Sequence, residues 1–87
     1  MIMQPSLNAL RIFEVAAKHL SFTKAGAELN MSQAAVSQRI KSLEEYLGVP
    51  LFYRKNRTLE ITSVGEAYLP VVRDALEALK HGEFVGG

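Results

Sequence analysis

Apolar residues in the first half of the chain recur every three or four positions, which is the period of an amphipathic helix. The first stripe comprises Leu7, Leu10, Phe13, Ala17 and Leu20. It predicts a first helix that begins just after Ser6. A second helix of about two turns is predicted ahead of Asn30. Its N-cap is Ser21 or Thr23, because either hydroxyl oxygen can accept a backbone N–H.

The clearest helical pattern follows Ser32, which is the next candidate N-cap. Its apolar stripe comprises Val36, Ile40, Leu43 and Leu47. Gly48 suits a left-handed C-terminal cap, and Pro50 prevents continuation, so the helix should end near Leu47. If the stripe faces the core, the opposite face is small and polar, with Gln33, Ala34, Ser37, Gln38 and Lys41.

A hairpin is predicted next, from two short stretches at 51–54 and 58–62 joined by a tip at 55–57. Along the second stretch, inward-facing Leu59 and Ile61 should alternate with outward-facing Glu60 and Thr62.

A last helix is predicted from Ser63, which forms a capping box with Glu66, to about Lys80. Pro70 predicts either a bend near 66–69 or a later start, because proline lacks one helical hydrogen-bond donor. The apolar stripe of this helix comprises Leu69, Val72, Leu76 and Leu79. It could face the first helix as core or form a dimer interface, and the pattern leaves both open.

Length and composition predict one domain with a packed core, because the 87 residues are 48% hydrophobic and 22% charged. The chain has no Cys, which excludes disulfides and thiolate zinc sites and fits the cytoplasm. No apolar run approaches the roughly 20 residues of a membrane span, so no membrane partner is predicted.

The net charge of +1 does not by itself indicate a nucleic-acid partner, but the charge is unevenly distributed. Residues 32–59 contain five basic and two acidic side chains, whereas residues 60–87 contain two basic and five acidic ones. Arg54, Lys55 and Arg57 surround the hairpin tip with no acid close in the sequence, which suits contact with phosphates or a minor groove. Arg57 is the preferred contact. A solvated turn is the alternative.

No catalytic constellation can be identified, so an enzyme is not predicted. The chain lacks a glycine-rich phosphate loop and a nucleophile elbow, and Asp74 is its single Asp. His19 and His81 are far apart and lack neighbours at metal-ligand spacing. We therefore predict no metal and no cofactor.

The order of elements predicts a mostly α fold: a winged helix-turn-helix with a three-helix core and a two-stranded wing, followed by a long C-terminal linker helix. The third helix should enter the major groove of DNA, where glutamine can pair with adenine and an alanine methyl can touch thymine. The predicted DNA-binding set is Thr23, Ser32, Gln33, Ala34, Ser37, Gln38, Lys41, Arg54, Lys55 and Arg57. A winged-helix module that binds a partner helix is the alternative function.

Several segments together resemble the N-terminal domain of LysR-type transcriptional regulators. The segments are 7–14 (LNALRIFE), 21–23 (SFT), 32–40 (SQAAVSQRI), 43–45 (LEE), 47–52 (LGVPLF) and 59–62 (LEIT) with Gly65. They cover nearly all of residues 6–80. The opening and SFT segments further resemble the subgroup of glycine-cleavage activators and β-lactamase regulators.

The resemblance implies a bacterial regulator that dimerises through its linker helix and binds an interrupted inverted repeat in double-stranded DNA. It also implies an effector domain, absent from this chain, that binds a small-molecule co-inducer. The expected boundaries are a DNA-binding domain at 1–62, a dimerisation helix at 63–82 and a hinge or tail at 83–87. Carried over by position, Gln33, Ala34, Ser37 and Gln38 would contact bases or the groove, and Arg54 and Arg57 would be the wing contacts.

Three positions depart from this family pattern. Ala34 and Gln38 stand where the family commonly has Pro and Arg, so the base preference at these positions does not carry over. Gly26 stands where the family usually has Ala, and it should loosen the second helix by up to about 1 kcal/mol.

Overall fold

The structure is a computed structural model that describes residues 6–56 and 58–80. The elements are α1 (Leu7–His19), α2 (Phe22–Leu29), α3 (Gln33–Leu47), β1 (Phe52–Lys55), β2 (Thr58–Ile61) and α4 (Ser63–Lys80). The two strands form one antiparallel hairpin, with Phe52 opposite Ile61 and Lys55 opposite Thr58. This order confirms the predicted mostly α winged helix-turn-helix. Arg57, His81 and the predicted tail at 83–87 lie outside the described residues.

Each of the first three helices begins after a serine whose hydroxyl accepts a backbone N–H from three residues further on. Ser6 accepts from Ala9 at 3.0 Å, and Ser21 accepts from Lys24 at 3.1 Å. The third serine is Ser32. Ser21 is therefore the N-cap of α2, and Thr23 lies inside that helix. These caps satisfy amides that the helices themselves leave unpaired.

The C-terminal ends of α2 and α3 also follow the sequence prediction. Asn30 and Gly48 adopt left-handed conformations, with φ of 60° and 78°, and the backbone N–H of each bonds the last turn of its helix. Asparagine and glycine adopt this conformation at low cost, which is why α3 ends one residue before Gly48.

The core lies where α1, α2 and α3 meet, and α4 closes it from the side of α1. In α3, Val36 and Ile40 are fully buried and Leu43 is 3% exposed, so the predicted inward stripe is confirmed. The buried residues of α1 are Ile12, Phe13, Val15 and Ala16. They form one hydrophobic core with Val36, Ile40 and Leu43 of α3.

Gly26 has a packing role that its position in the sequence did not reveal. The helix α2 passes so close to the following turn that a Cβ at Gly26 would overlap the backbone carbonyl oxygen of Met31. The Met31 N–H also donates to the Gly26 carbonyl at 2.8 Å. Glycine therefore allows close approach of the helix-turn-helix backbone here, a benefit that the expected loosening of α2 left out.

The predicted outward orientation of Thr62 is wrong, because this side chain is only 3% exposed. Its hydroxyl donates to the Pro50 carbonyl at 2.9 Å and accepts from the Gly65 N–H at 3.0 Å. The alternation of β2 ends at Ile61, so strand periodicity no longer applies to the next residue. Thr62, rather than the predicted Ser63, is accordingly the N-cap of α4.

The helix α4 begins at Ser63 and continues through Pro70, so of the two predicted alternatives the late start is wrong. Pro70 is exposed, and its ring therefore points away from the core. On the inner side, the Tyr68 ring lies 5.6 Å from the Phe13 ring, and Phe13 lies 5.7 Å from Phe52. The Phe52 ring in turn meets Phe22 edge-on at 5.7 Å, so aromatic contacts connect α2, β1, α1 and α4.

Candidate nucleic-acid interface

The outer face of α3 has the orientation that the sequence predicts. Because Val36 and Ile40 are buried, helical geometry turns Gln33, Ala34 and Gln38 to the solvent, and all three are exposed. Lys41 is exposed as well, and Ser37 is half-buried. The face is uncharged over its first two turns, so bases could approach its backbone and amide groups closely.

A cleft of about 270 Å³ lies between this face, the start of α2 and the hairpin. It brings together four residues of the predicted set, namely Thr23, Gln33, Ser37 and Arg54. The predicted residues Ala34, Gln38, Lys41 and Lys55 are exposed outside the cleft. The candidate interface therefore has an inner part, where α3 meets the wing, and an outer part along α3 and the hairpin.

Two wing residues outside the predicted set, Asn56 and Thr58, also line the cleft. Asn56 adopts a left-handed conformation in the hairpin turn, with φ of 50°, and Thr58 begins the second strand. The Thr58 hydroxyl donates to the Lys55 carbonyl at 3.0 Å and so closes the turn. The preference of asparagine for tight turns was the available signal, but it indicates a turn rather than a ligand.

Ser32 combines a structural role with its predicted place in the interface. Its hydroxyl oxygen accepts the Ala35 N–H at 3.1 Å, which fixes the first turn of α3. The same hydroxyl keeps a proton that it can donate to a phosphate oxygen. A loss of DNA binding on substitution of Ser32 would therefore combine the lost contact with a frayed helix start.

The hairpin cations differ in their surroundings. The Lys55 ammonium is exposed and lies 5.7 Å from the centre of the Tyr53 ring. The prediction that Arg54 has no acid nearby is wrong. One of its terminal nitrogens lies 3.5 Å from a Glu44 carboxylate oxygen. The two residues are ten positions apart and meet because the chain reverses direction between α3 and β1. Sequence proximity was therefore the wrong measure of charge pairing.

A cluster of charged side chains joins α2 to α1. The Glu28 carboxylate lies 2.9 Å from the Lys18 ammonium and 2.8 Å from His19 Nε2. Two hydrogen bonds lower the pKa of Glu28, and the one from Lys18 has a larger effect than the one from His19. His19 thus lies at a helix end, as predicted. Among residues 6–56 and 58–80, no group of three or more His, Asp or Glu could hold a metal ion.

The predicted dimer seam on α4 is wrong at Val72, which is 1% exposed and belongs to the core of its own chain. Leu69 and Leu76 also pack against this core, whereas Leu79 is 39% exposed. The prediction that this stripe faces the core of its own chain therefore holds for Leu69, Val72 and Leu76.

A neighbouring flank of α4 carries only small apolar side chains on its exposed side, with Val71 60% exposed. This apolar flank consists of Val64, Ala67, Val71, Ala75 and Ala78.

The inner face of α4 has a distinct chemical environment. Burial raises the pKa of the Tyr68 phenol, and the nearby Tyr46 phenol contributes in the same direction.

Within the described part of the chain, none of the helices has both the length and the apolar character that a membrane span requires.

Comparison with known proteins gives consistent matches. A sequence model described as "Bacterial regulatory helix-turn-helix protein, lysR family" matches residues 7–66. The glycine cleavage system transcriptional activator of Escherichia coli K12 is 52% identical over 75 residues, which are 86% of this chain and 25% of that protein. The transcriptional activator AmpR of Pseudomonas aeruginosa is 56% identical over 73 residues, or 84% of this chain and 25% of AmpR. The chain thus spans about a quarter of the length of these relatives.

Solved structures agree with the sequence matches. Corynebacterium glutamicum OxyR superposes with a TM-score of 0.88 at 34% identity, covering 93% of this chain and 25% of OxyR. The CbnR_DBD–DNA complex gives a TM-score of 0.84 at 29% identity, covering 90% of each chain. These matches confirm the resemblance that the helix and wing motifs indicated: the chain belongs to the lysR family of bacterial regulatory helix-turn-helix proteins.

Proposed function

We propose that this chain binds double-stranded DNA sequence-specifically, with α3 in the major groove and the hairpin on the adjacent minor groove. One observation carries the proposal: Gln33 and Ser37 of α3 border a single cleft together with the wing residues Arg54 and Asn56. Support also comes from the CbnR_DBD–DNA complex, whose protein has the same fold over 90% of this chain.

The chemistry of the two parts differs. The Gln33 and Gln38 amides can each donate and accept, which matches the hydrogen-bonding edge of adenine, and the Ala34 methyl can contact thymine. The exposed ammonium groups of Lys41 and Lys55 suit phosphates, which supply affinity without reading the sequence. In this proposal the Gln33, Ala34 and Gln38 side chains of α3 supply the sequence preference, and the basic side chains of α3 and the wing supply much of the affinity.

A homodimer is part of the proposal, because α4 carries an apolar flank on which Val64, Ala67 and Val71 are exposed. Pairing of two such flanks around a twofold axis would bury Val71 of both copies. A twofold dimer places two α3 helices on one side of the duplex, roughly 34 Å apart, and so predicts an interrupted inverted repeat.

For the full-length protein we propose a cytoplasmic transcriptional regulator rather than an enzyme. The two relatives reported above are transcriptional activators, and this chain matches about a quarter of each. In the proposed regulator, a further domain beyond the present chain binds a small-molecule co-inducer and controls the DNA-binding part.

The test is selection of bound duplexes from a random pool, followed by affinity measurements over a range of salt concentrations. We expect an enriched inverted repeat and a steep fall of affinity with salt, since bound phosphates release counterions. No enrichment, or binding that does not respond to salt, would overturn the proposal and favour the module that binds a partner helix.

A further inference from the structure

The Glu44 side chain connects the last turns of α3 to the beginning of the wing. One of its carboxylate oxygens accepts two backbone N–H groups, from Leu51 at 2.7 Å and from Phe52 at 3.2 Å. The side chain is only 11% exposed. A carboxylate that accepts two amides from a buried strand start fixes the direction in which that strand leaves the core.

The second carboxylate oxygen of Glu44 faces the Arg54 guanidinium at 3.5 Å. The same guanidinium lies over the Phe22 ring, 5.3 Å from its centre, which is cation–π distance. Phe22 is the first residue of α2, and its ring meets Phe52 of β1. Glu44 therefore restrains β1 twice: directly through the backbone amides, and through an arginine that also rests on α2.

We propose that Glu44 is a positioning residue for DNA binding, which sets the wing in register with the recognition face of α3. The inference rests on the proposed function, because it assigns Glu44 a role in the same interface. Glu44 need not touch DNA. It determines whether Arg54 and the hairpin reach the backbone while Gln33 and Gln38 reach base edges.

This role predicts a particular change in binding, which differs from the effect of charge alone. A carboxylate near DNA repels every duplex, so its neutralisation should strengthen binding to all sequences. Loss of register should weaken binding only where α3 and the wing must fit one site together. The ratio of specific to non-specific affinity therefore separates positioning from simple repulsion. An inactive fraction of protein cancels in this ratio, because both affinities are measured on the same sample.

The chain offers a matched control in Glu45, which is the next residue and is exposed. Glu44→Gln and Glu45→Gln remove the same charge at nearly the same place on α3. Glu44→Asp keeps the charge but shortens the side chain by one methylene, so it cannot span the amides and Arg54 with the native geometry. This third variant also serves if Glu44→Gln folds poorly.

The experiment measures the affinity of each variant for the duplex that the wild-type chain enriches and for the unselected random pool. We expect Glu44→Gln and Glu44→Asp to lower the affinity ratio about tenfold, the scale of one lost base contact. Glu45→Gln should leave the ratio within about twofold of wild type. Equal ratios for all variants would overturn the inference while leaving the proposed function intact. A wild-type chain that enriches no duplex would instead overturn the proposed function and the role of Glu44 with it.

Discussion

The Thr62 hydroxyl accepts the Gly65 N–H at 3.0 Å, so that the first turn of α4 is attached to the end of β2. The same hydroxyl donates to the Pro50 carbonyl on the other side of the hairpin base. The Thr62 N–H also donates to the Leu51 carbonyl at 3.0 Å. One buried threonine thus joins both strands of the wing to the linker helix.

Gly65→Ala should lower the free energy of unfolding by about 1–3 kcal/mol, as overpacking of a tight site does. A Cβ at this position would lie 2.6 Å from the Leu51 carbonyl oxygen and 2.7 Å from Ile61 Cγ1. Helix propensity alone predicts the opposite sign, a gain of about 1 kcal/mol. Urea denaturation of both chains decides between the two, and a stabilised variant would show that α4 can move away from β2.

Gln38→Ala should cost about 1–3 kcal/mol of binding to the enriched duplex and relax the preference at one base pair. The reason is that its amide is exposed on the outer face of α3.

Lys55→Ala should weaken binding to all duplexes and reduce the slope of log affinity against log salt concentration by about 1, because it removes a phosphate contact. Titrations on single-base variants of the duplex measure both effects. Similar losses for both substitutions on random DNA would contradict the division between α3 and wing.

Val71→Glu should abolish dimer formation without unfolding the domain, because this side chain is 60% exposed on the apolar flank of α4. Ser63→Glu is a suitable control, since it adds the same charge at an exposed position of the same helix. Sedimentation equilibrium measures the association. A wild-type chain that stays monomeric at high concentration, or a dimer that survives Val71→Glu, would exclude this flank as the interface.

The Glu28 ion cluster should make the attachment of α2 to α1 sensitive to acid. The pKa of the Glu28 carboxyl is lowered in the folded chain. The stabilising effect of the charged carboxylate is therefore complete above the unfolded pKa of roughly 4.3, and it is lost as the pH falls through the folded pKa. Glu28→Gln should therefore have a lower melting temperature than wild type at pH 6, and the difference should shrink toward pH 2. A constant difference across this range would mean that the carboxylate charge is not the cause.

Most of the fold could be predicted from local patterns, since each signal acts within a few residues. The α3 stripe of Val36, Ile40 and Leu43, the Ser32 cap and Gly48 all depend on geometry within one or two turns of helix. The orientation of the recognition face follows from the same stripe. Those predictions succeeded because burial and capping at these positions agree with local propensity.

The failures concern residues whose partners are distant in sequence or lie beyond the end of an element. Strand alternation placed Thr62 outside, although its hydroxyl bonds form only after the chain turns into α4. The sequence predicts no acid near Arg54 because Glu44 lies ten positions earlier, although the two side chains meet in the fold. A heptad-like stripe on α4 could not distinguish an intramolecular partner from an intermolecular one, and Val72 belongs to the core of its own chain.

The aromatic contacts also bear on how short a fragment can remain stable. The Phe13 ring is covered by Phe52 on the hairpin and by Tyr68 on α4, yet the family's sequence model matches only residues 7–66. A polypeptide trimmed at that limit would lose the core residue Val72 and the Tyr68 ring, and the side of Phe13 that faces Tyr68 would be open to water. The segment that the family's sequence model matches thus omits the part of α4 that covers Phe13.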